Sequence, residues 1–155
     1  MSRFYSIQFA NVSISAAQDL FSVLSTSSMA FRLCEFQLSA DAPTTTAGLR
    51  ISIKRLPVTV TVGSGGAACT VNSLASTNAA ATITARSNDT TRATTNGTAA
   101  TLFSASINVL NGWQFLPPPE YRPSFAPSQA LVIGLEVAPS STTVFDGYAV
   151  LEEAF

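Results

Sequence analysis

The sequence predicts an all-β protein: an antiparallel β-sandwich, jelly-roll-like, with long loops, as a single domain over residues 1–155. Three observations lead there. Apolar residues recur with period two in one segment after another. No segment carries a convincing amphipathic helical period. Clusters of Gly, Asn, Ser and Thr punctuate the periodic segments, as turns between strands require. The chain has 155 residues, and a domain of that size buries roughly 68–70% of its unfolded surface without staples. The long connections favour a jelly roll over a tighter immunoglobulin-like sandwich.

The elements follow in order. Tyr5, Ile7 and Phe9 share a face, but Val12 and Ile14 fall on the other parity. A one-residue phase slip at Ala10-Asn11 therefore predicts a bulge or tight turn. In "SAAQDLF", Ser15 and Gln18 offer a capping box for a short helix, but the Ser and Thr on both flanks favour extended chain. "MAFRLCEFQLS" reads as a strand with Phe31 and Leu33 on one face, and its parity blurs at Cys34. "LRISIKRL" puts Leu49, Ile51 and Ile53 against Arg50, Ser52 and Lys54. "PVTVTVG" alternates Val58, Val60 and Val62 with threonines.

"GSGGAACTVNS" begins with a glycine cluster suited to positive φ and a flexible loop. Residues 72–101, rich in Thr, Ala and Asn, read as loops plus one or two weak strands. Within them Asn96-Gly97 is a favoured two-residue hairpin turn. "TLFSASINV" aligns Phe103, Ala105, Ile107 and Val109. "LVIGLEV" aligns Leu131, Ile133, Leu135 and Val137. "TVFDGYAVLEE" sets Phe145, Ala149 and Leu151 opposite Val144, Tyr148 and Val150.

The only Trp of the chain lies in "GWQFLPPPEYRP". Asn111-Gly112 supplies a turn, and Trp113 and Phe115 resume alternation. Pro117 to Pro119 then end any ladder and predict an extended polyproline segment. Arg122 precedes Pro123 and is held extended as well. The result is a stiff arm with aromatic groups at both ends. Trp113 and Phe115 read first as a cap on the sandwich core. Tyr121 and Arg122 suit a neighbour contact, because Trp, Tyr and Arg are the enriched anchors of interfaces and a stiff segment loses little entropy on docking. A sugar platform of Trp113 and Tyr121 is the third role. Trp113, Phe115, Tyr121 and Arg122 are thus the candidate interface residues.

Composition removes whole classes of chemistry. The chain has no histidine, which excludes Ser-His-Asp and Cys-His nucleophile systems and His-based zinc sites. Its single lysine, Lys54, has no glycine-rich loop before it, so there is no P-loop. "GSGGAAC" opens no helix and is no dinucleotide fingerprint. Glu35, Asp41, Glu120, Glu136 and Asp146 could supply paired carboxylates for glycoside hydrolysis, but nine acids always yield some pair by chance. Adjacent Glu152 and Glu153 point to opposite faces of a strand. No enzymatic activity, cofactor or metal is expected.

Only 11% of residues are charged and the net charge is −1. There is no basic stripe for nucleic acid, no apolar run long enough to span a membrane and no apolar leader at the start. Ser and Thr hydroxyls must supply solubility. "NVS", "NDT" and "NGT" match the N-glycosylation pattern by chance in so Ser-, Thr- and Asn-rich a chain. Cys34 reads as a small buried hydrophobe, and the spacing leaves a Cys34–Cys69 disulfide open.

"RFYSIQFANVSISAAQDLF", "GSGG" after a β run, "SNDTTRATTNGTAATL", "NVLNGWQFLPPPEYRP" and the ending "YAVLEE" occur in that order. Together they resemble a group of small proteins encoded in tailed-phage and prophage genomes, over almost the full length. The chain departs from that group where "KRLP" replaces an Arg-Gly and where "STSSM" carries less charge. The resemblance implies a virion structural role: a capsid decoration or cement protein located in the virion and assembled in the host cytoplasm. Its expected partners are the major capsid protein and copies of itself, a homo-oligomer and commonly a trimer. A neck, tail or fibre-associated module is the first alternative, and a carbohydrate-binding adsorption module the second.

Overall fold

The computed structural model of the protein describes residues 2–26, 28–43 and 48–153. The strands among them are β1 (Arg3–Ile14), β2 (Gln18–Ser25), β3 (Phe31–Asp41), β4 (Gly48–Leu56), β5 (Val60–Thr61), β6 (Ala67–Cys69), β7 (Asn72–Ser73), β8 (Ile83–Asp89), β9 (Thr94–Thr95), β10 (Ala100–Asn108), β11 (Trp113–Phe115), β12 (Ser124–Phe125), β13 (Ala130–Leu135) and β14 (Thr143–Glu153), with one 3-10 turn at Pro119–Tyr121. The capping-box stretch from Ser15 leads into strand β2, not a helix.

Two six-stranded sheets form. One runs β11-β3-β14-β1-β7 with β12 also on β3, and the other runs β10-β4-β13-β2-β8-β6. All pairings are antiparallel. With β1, β2, β3, β4, β10, β11, β13 and β14 counted first to eighth, one sheet reads 1-8-3-6 and the other 2-7-4-5. That is the double Greek key of a jelly roll. Residues 57–99, between its fourth and fifth strands, form an excursion that supplies β5 to β9.

Period two selects the core. Tyr5, Ile7, Leu49, Ile51, Ile53, Leu131, Ile133, Leu135, Phe145, Ala149 and Leu151 are all buried. Most join one apolar cluster contributed by both sheets. At roughly 25 cal/mol per Å² of apolar surface, this layer is the main stabilising term. The two parity breaks are bulges. Between Phe9 and Val12 the register on β14 shifts, Asn11 sits at φ 56, and its N–H donates to Asp146 Oδ1 at 2.7 Å. On β3, Leu33 faces Leu151 and Glu35 faces Val150, so Cys34 is the extra residue.

Several expectations need correction. Residues 72–101 contain a full strand, β8, in which Ile83, Ala85, Ser87 and Asp89 are buried. "PVTVTVG" gives only the two-residue β5. Val58 and Val62 are 54% and 44% exposed, because the β5–β9 ribbon is not hydrogen-bonded into either main sheet and only Val60 packs against one. Asn96-Gly97 is no hairpin turn: β9 pairs with distant β5, and neither residue takes positive φ.

The glycine loop is bound more closely than a flexible connection. Gly65 does adopt φ +88, but a Cβ on Gly66 would lie 2.1 Å from the Ser87 carbonyl. Gly66 N–H donates to Asp89 Oδ1 at 3.0 Å, and Arg86 grips the same carboxylate with two bonds of 2.9 and 2.7 Å. The proline run is not extended throughout, since its last member opens the 3-10 turn. Val137 lies past the end of β13, 41% exposed. Cys34 and Cys69 are free thiols, not a disulfide.

Candidate assembly surface

The fifth and sixth jelly-roll strands, β10 and β11, end the two sheets on one rim of the sandwich. The turn between them is fixed locally. Asn108 Oδ1 accepts the Leu110 N–H at 2.9 Å, and the Asn108 carbonyl accepts the Asn111 N–H at 3.1 Å. Gly112 then takes φ +65, and any Cβ there would meet the Leu38 carbonyl at 2.6 Å. Both conditions demand glycine. The turn sets Trp113 opposite Leu38 and Phe115 opposite Phe36.

An aromatic file results, running from the core to the surface. Phe9 meets Phe21 at 5.1 Å between ring centroids, Phe21 meets Phe36 at 6.3 Å, and Phe36 meets Trp113 at 5.8 Å edge-on. Trp113 meets Phe115 at 5.9 Å, and Phe115 meets Phe103 of β10 at 4.8 Å. Each such pair contributes about 0.5–1.5 kcal/mol beyond its area. The file closes the space between the sheets and leaves Phe103 partly in water. Leu110, Leu116 and Tyr121 are 50%, 62% and 71% exposed along this part of the chain.

The four candidate residues therefore divide. Trp113 and Phe115 are half-buried against the core. Tyr121 stands exposed at the end of the 3-10 turn, where its N–H donates to the Pro118 carbonyl at 2.9 Å. Arg122 turns inward: it is extended (φ −64, ψ 121), its side chain is 24% exposed, and Nη1 lies 3.9 Å from Glu152 Oε2. The Cys34 Sγ lies 3.9 Å from that same oxygen. Burial, helped by Glu152 and opposed by Arg122, pushes the Cys34 thiol up to about 11, so it stays protonated at neutral pH. The Trp113 and Phe36 rings meet at an interplanar angle of 67°.

A second cluster lies on the outer face of the other sheet, and sequence reasoning identified only part of it. Glu136 accepts from Lys54 Nζ at 2.7 Å, from Arg92 Nη1 at 2.8 Å and from Ser52 Oγ. Arg92 also donates to the Leu135 carbonyl, and its Nε lies 4.0 Å from Asp19 Oδ1. Asp19 Oδ2 accepts the Ala93 N–H at 2.7 Å. Burial works to raise Glu136, but the donors from Lys54, Ser52 and Arg92 outweigh it and bring it down to about 2. Asp19 goes the other way: burial raises it, only partly offset by Ala93 and Arg92.

Beside the cluster a cavity of about 300 Å³ opens, with Asp19, Lys54, Arg92, Ala93, Leu56 and Val132 among its lining. Nη1 and Nη2 of Arg92 both bond to the protein and the Ala93 N–H bonds to Asp19, so the arrangement ties residues 92–93 of the excursion to β2, β4 and the end of β13. Leu56, Ala130 and Val132, with Val60 and Ala93, form a small apolar cluster that supports the same attachment. The local signal for Asp19 is an acid immediately before the apolar pair Leu20-Phe21.

The outer face of the β11-β3-β14-β1 sheet carries a row of polar side chains. Gln8 faces Tyr148, Tyr148 faces Gln37, and Gln37 faces Gln114. Glu35 accepts from Tyr148 Oη at 2.6 Å and from Gln114 Nε2 at 2.9 Å. The bond to Glu35, followed by burial, pushes the Tyr148 phenol above its ordinary value. Comparison with protein-family models, curated proteins and solved structures found no match.

Proposed function

We propose that the chain is a phage virion structural protein, a capsid decoration or cement protein that binds across capsomer junctions. The observation that supports this best is the β10–β11 rim. There an aromatic file rooted in a rigid core ends in exposed Phe103, with Leu116 and Tyr121 on the arm that follows. Such a rim offers apolar surface that is ordered before contact, so docking costs little entropy. The partners are the major capsid protein and further copies of the chain. Each contact buries apolar area at roughly 25 cal/mol per Å². Many copies in a symmetric lattice then resist internal pressure through multivalency. Electron microscopy of intact particles tests the proposal: a regular lattice over the head supports it, and density confined to the tail end rejects it.

The Gln8–Tyr148–Gln37–Gln114 row favours a second reading, an adsorption module for host glycans. Amides and a phenol aligned across four strands match sugar hydroxyls as donors and acceptors. Glycan binding lost in Gln37→Ala with the fold intact would favour that reading over cement.

A further inference from the structure

The jelly roll has four outer edges, and they are not protected alike. Beyond β1 lies only the two-residue β7, and the Cys69 thiol caps the Gln8 carbonyl at 3.2 Å. The second sheet ends on one side at the three-residue β6. The β3 edge is covered in two short pieces, β11 and β12, with three consecutive prolines between them. The β10 edge differs. It is nine residues long and reads "ATLFSASIN", with no proline, lysine or other charged residue. Among the described residues β10 pairs only with β4, so its outward N–H and C=O groups have no strand partner. Its one irregularity, between Thr101 and Phe103, leaves the stretch Phe103–Asn108 in regular register with β4. Long uncharged edges are what sheet proteins ordinarily block, because such edges recruit another strand.

We propose that β10 is a self-association edge, pairing antiparallel with the β10 of a second copy so that the sheet continues across a two-fold axis at Ala105. Three observations choose a second copy as the occupant. The strand carries no charge, so pairing with itself opposes no like charges. Ser104, Ala105 and Ser106 are small and bring no steric conflict to the axis. An axis at Ala105 sets Phe103 opposite Ile107 of the other copy on the inner face. This brings an apolar neighbour to Phe103, which is 37% exposed in the single chain, and Ser104 meets Ser106 on the outer face. Such a contact is isologous and closes as a dimer. It stands on the strand itself, independent of where the protein sits in a particle.

The test is the mass of the full chain in solution by sedimentation, over a concentration series, for wild type and the double variant Ser104→Glu with Ser106→Glu. The double variant sets glutamates opposite one another across the axis, while Glu at 106 lies beside Arg50 on β4, which favours the native fold. The expected result is a wild-type dimer and a variant that stays monomeric with an unchanged melting transition. A wild type that stays monomeric up to its solubility limit overturns the inference. So does a trimer, or a dimer that survives the double variant. Should the variant fail to fold, amide exchange of the wild type decides. Protection of residues 103–108 that rises with protein concentration is expected, and protection independent of concentration rejects the pairing.

Discussion

Replacing Arg92 by alanine should loosen the cover over the β4–β13 face without unfolding the sandwich. Arg92 gives one charge-assisted bond to Glu136 at 2.8 Å and one to the Leu135 carbonyl, from a side chain 30% exposed. The guanidinium is charged, so both bonds are charge-assisted, and such a bond contributes about 1.5–3 kcal/mol. Solvent at the site places both near the lower limit. Glu136 keeps Lys54 and Ser52, and Asp19 keeps the Ala93 N–H, so neither carboxylate is orphaned. The sum is about 3 kcal/mol.

The pH dependence carries a defined sign. Glu136 lies at about 2 in the fold against an ordinary 4.5, so its contribution is fully present above 4.5 and is lost as pH falls through about 2. Asp19, raised by burial, acts in the opposite sense, because protonating it favours the fold and masks part of that loss. Arg92→Ala should shrink the acid-dependent part of stability. Arg92→Lys should recover less than half, since an ammonium lacks the fork. Urea unfolding across an acid series measures both effects. A loss under about 0.5 kcal/mol at neutral pH, within the range of an ordinary surface substitution, together with unchanged acid dependence, would refute the clamp.

Gly112→Ala should destabilise by at least about 1–3 kcal/mol, because it combines positive φ with a Cβ 2.6 Å from the Leu38 carbonyl; thermal unfolding reads this directly. Of the two thiols, half-exposed Cys69 should react with a thiol reagent in the native protein, whereas Cys34 should react only after unfolding. Equal native reactivity would contradict the Cys34 burial. Tyr121→Ala should leave stability within about 0.5 kcal/mol, since the side chain is 71% exposed, yet reduce occupancy on capsids. Full occupancy would remove Tyr121 from the contact.

Period two made much of the fold legible, including its faults. The slip at Ala10-Asn11 and the blur at Cys34 are both bulges, because an inserted residue flips every later side chain. Strand β8 was less legible because its inward positions end in Ser87 and Asp89, polar groups that read as loop. Asp89 is buried only because Gly66 and Arg86 satisfy it from elsewhere. The valines of "PVTVTVG" gave the opposite error. Alternation reports an extended chain but not whether a sheet lies beneath it. Trp113, Phe115 and Tyr121 were identifiable as residues, whereas the inward turn of Arg122 depends on Glu152, thirty positions further along the chain. The Asp19, Lys54, Arg92 and Glu136 cluster draws on four distant segments, so no local spacing marks it.

The most direct measurement is the copy number of this chain in purified particles, set against the major capsid protein by quantitative mass spectrometry. A decoration role predicts a stoichiometry of the same order as the major capsid protein, lowered by Tyr121→Ala. Absence from the particle, or a ring-sized handful of copies, would contradict it.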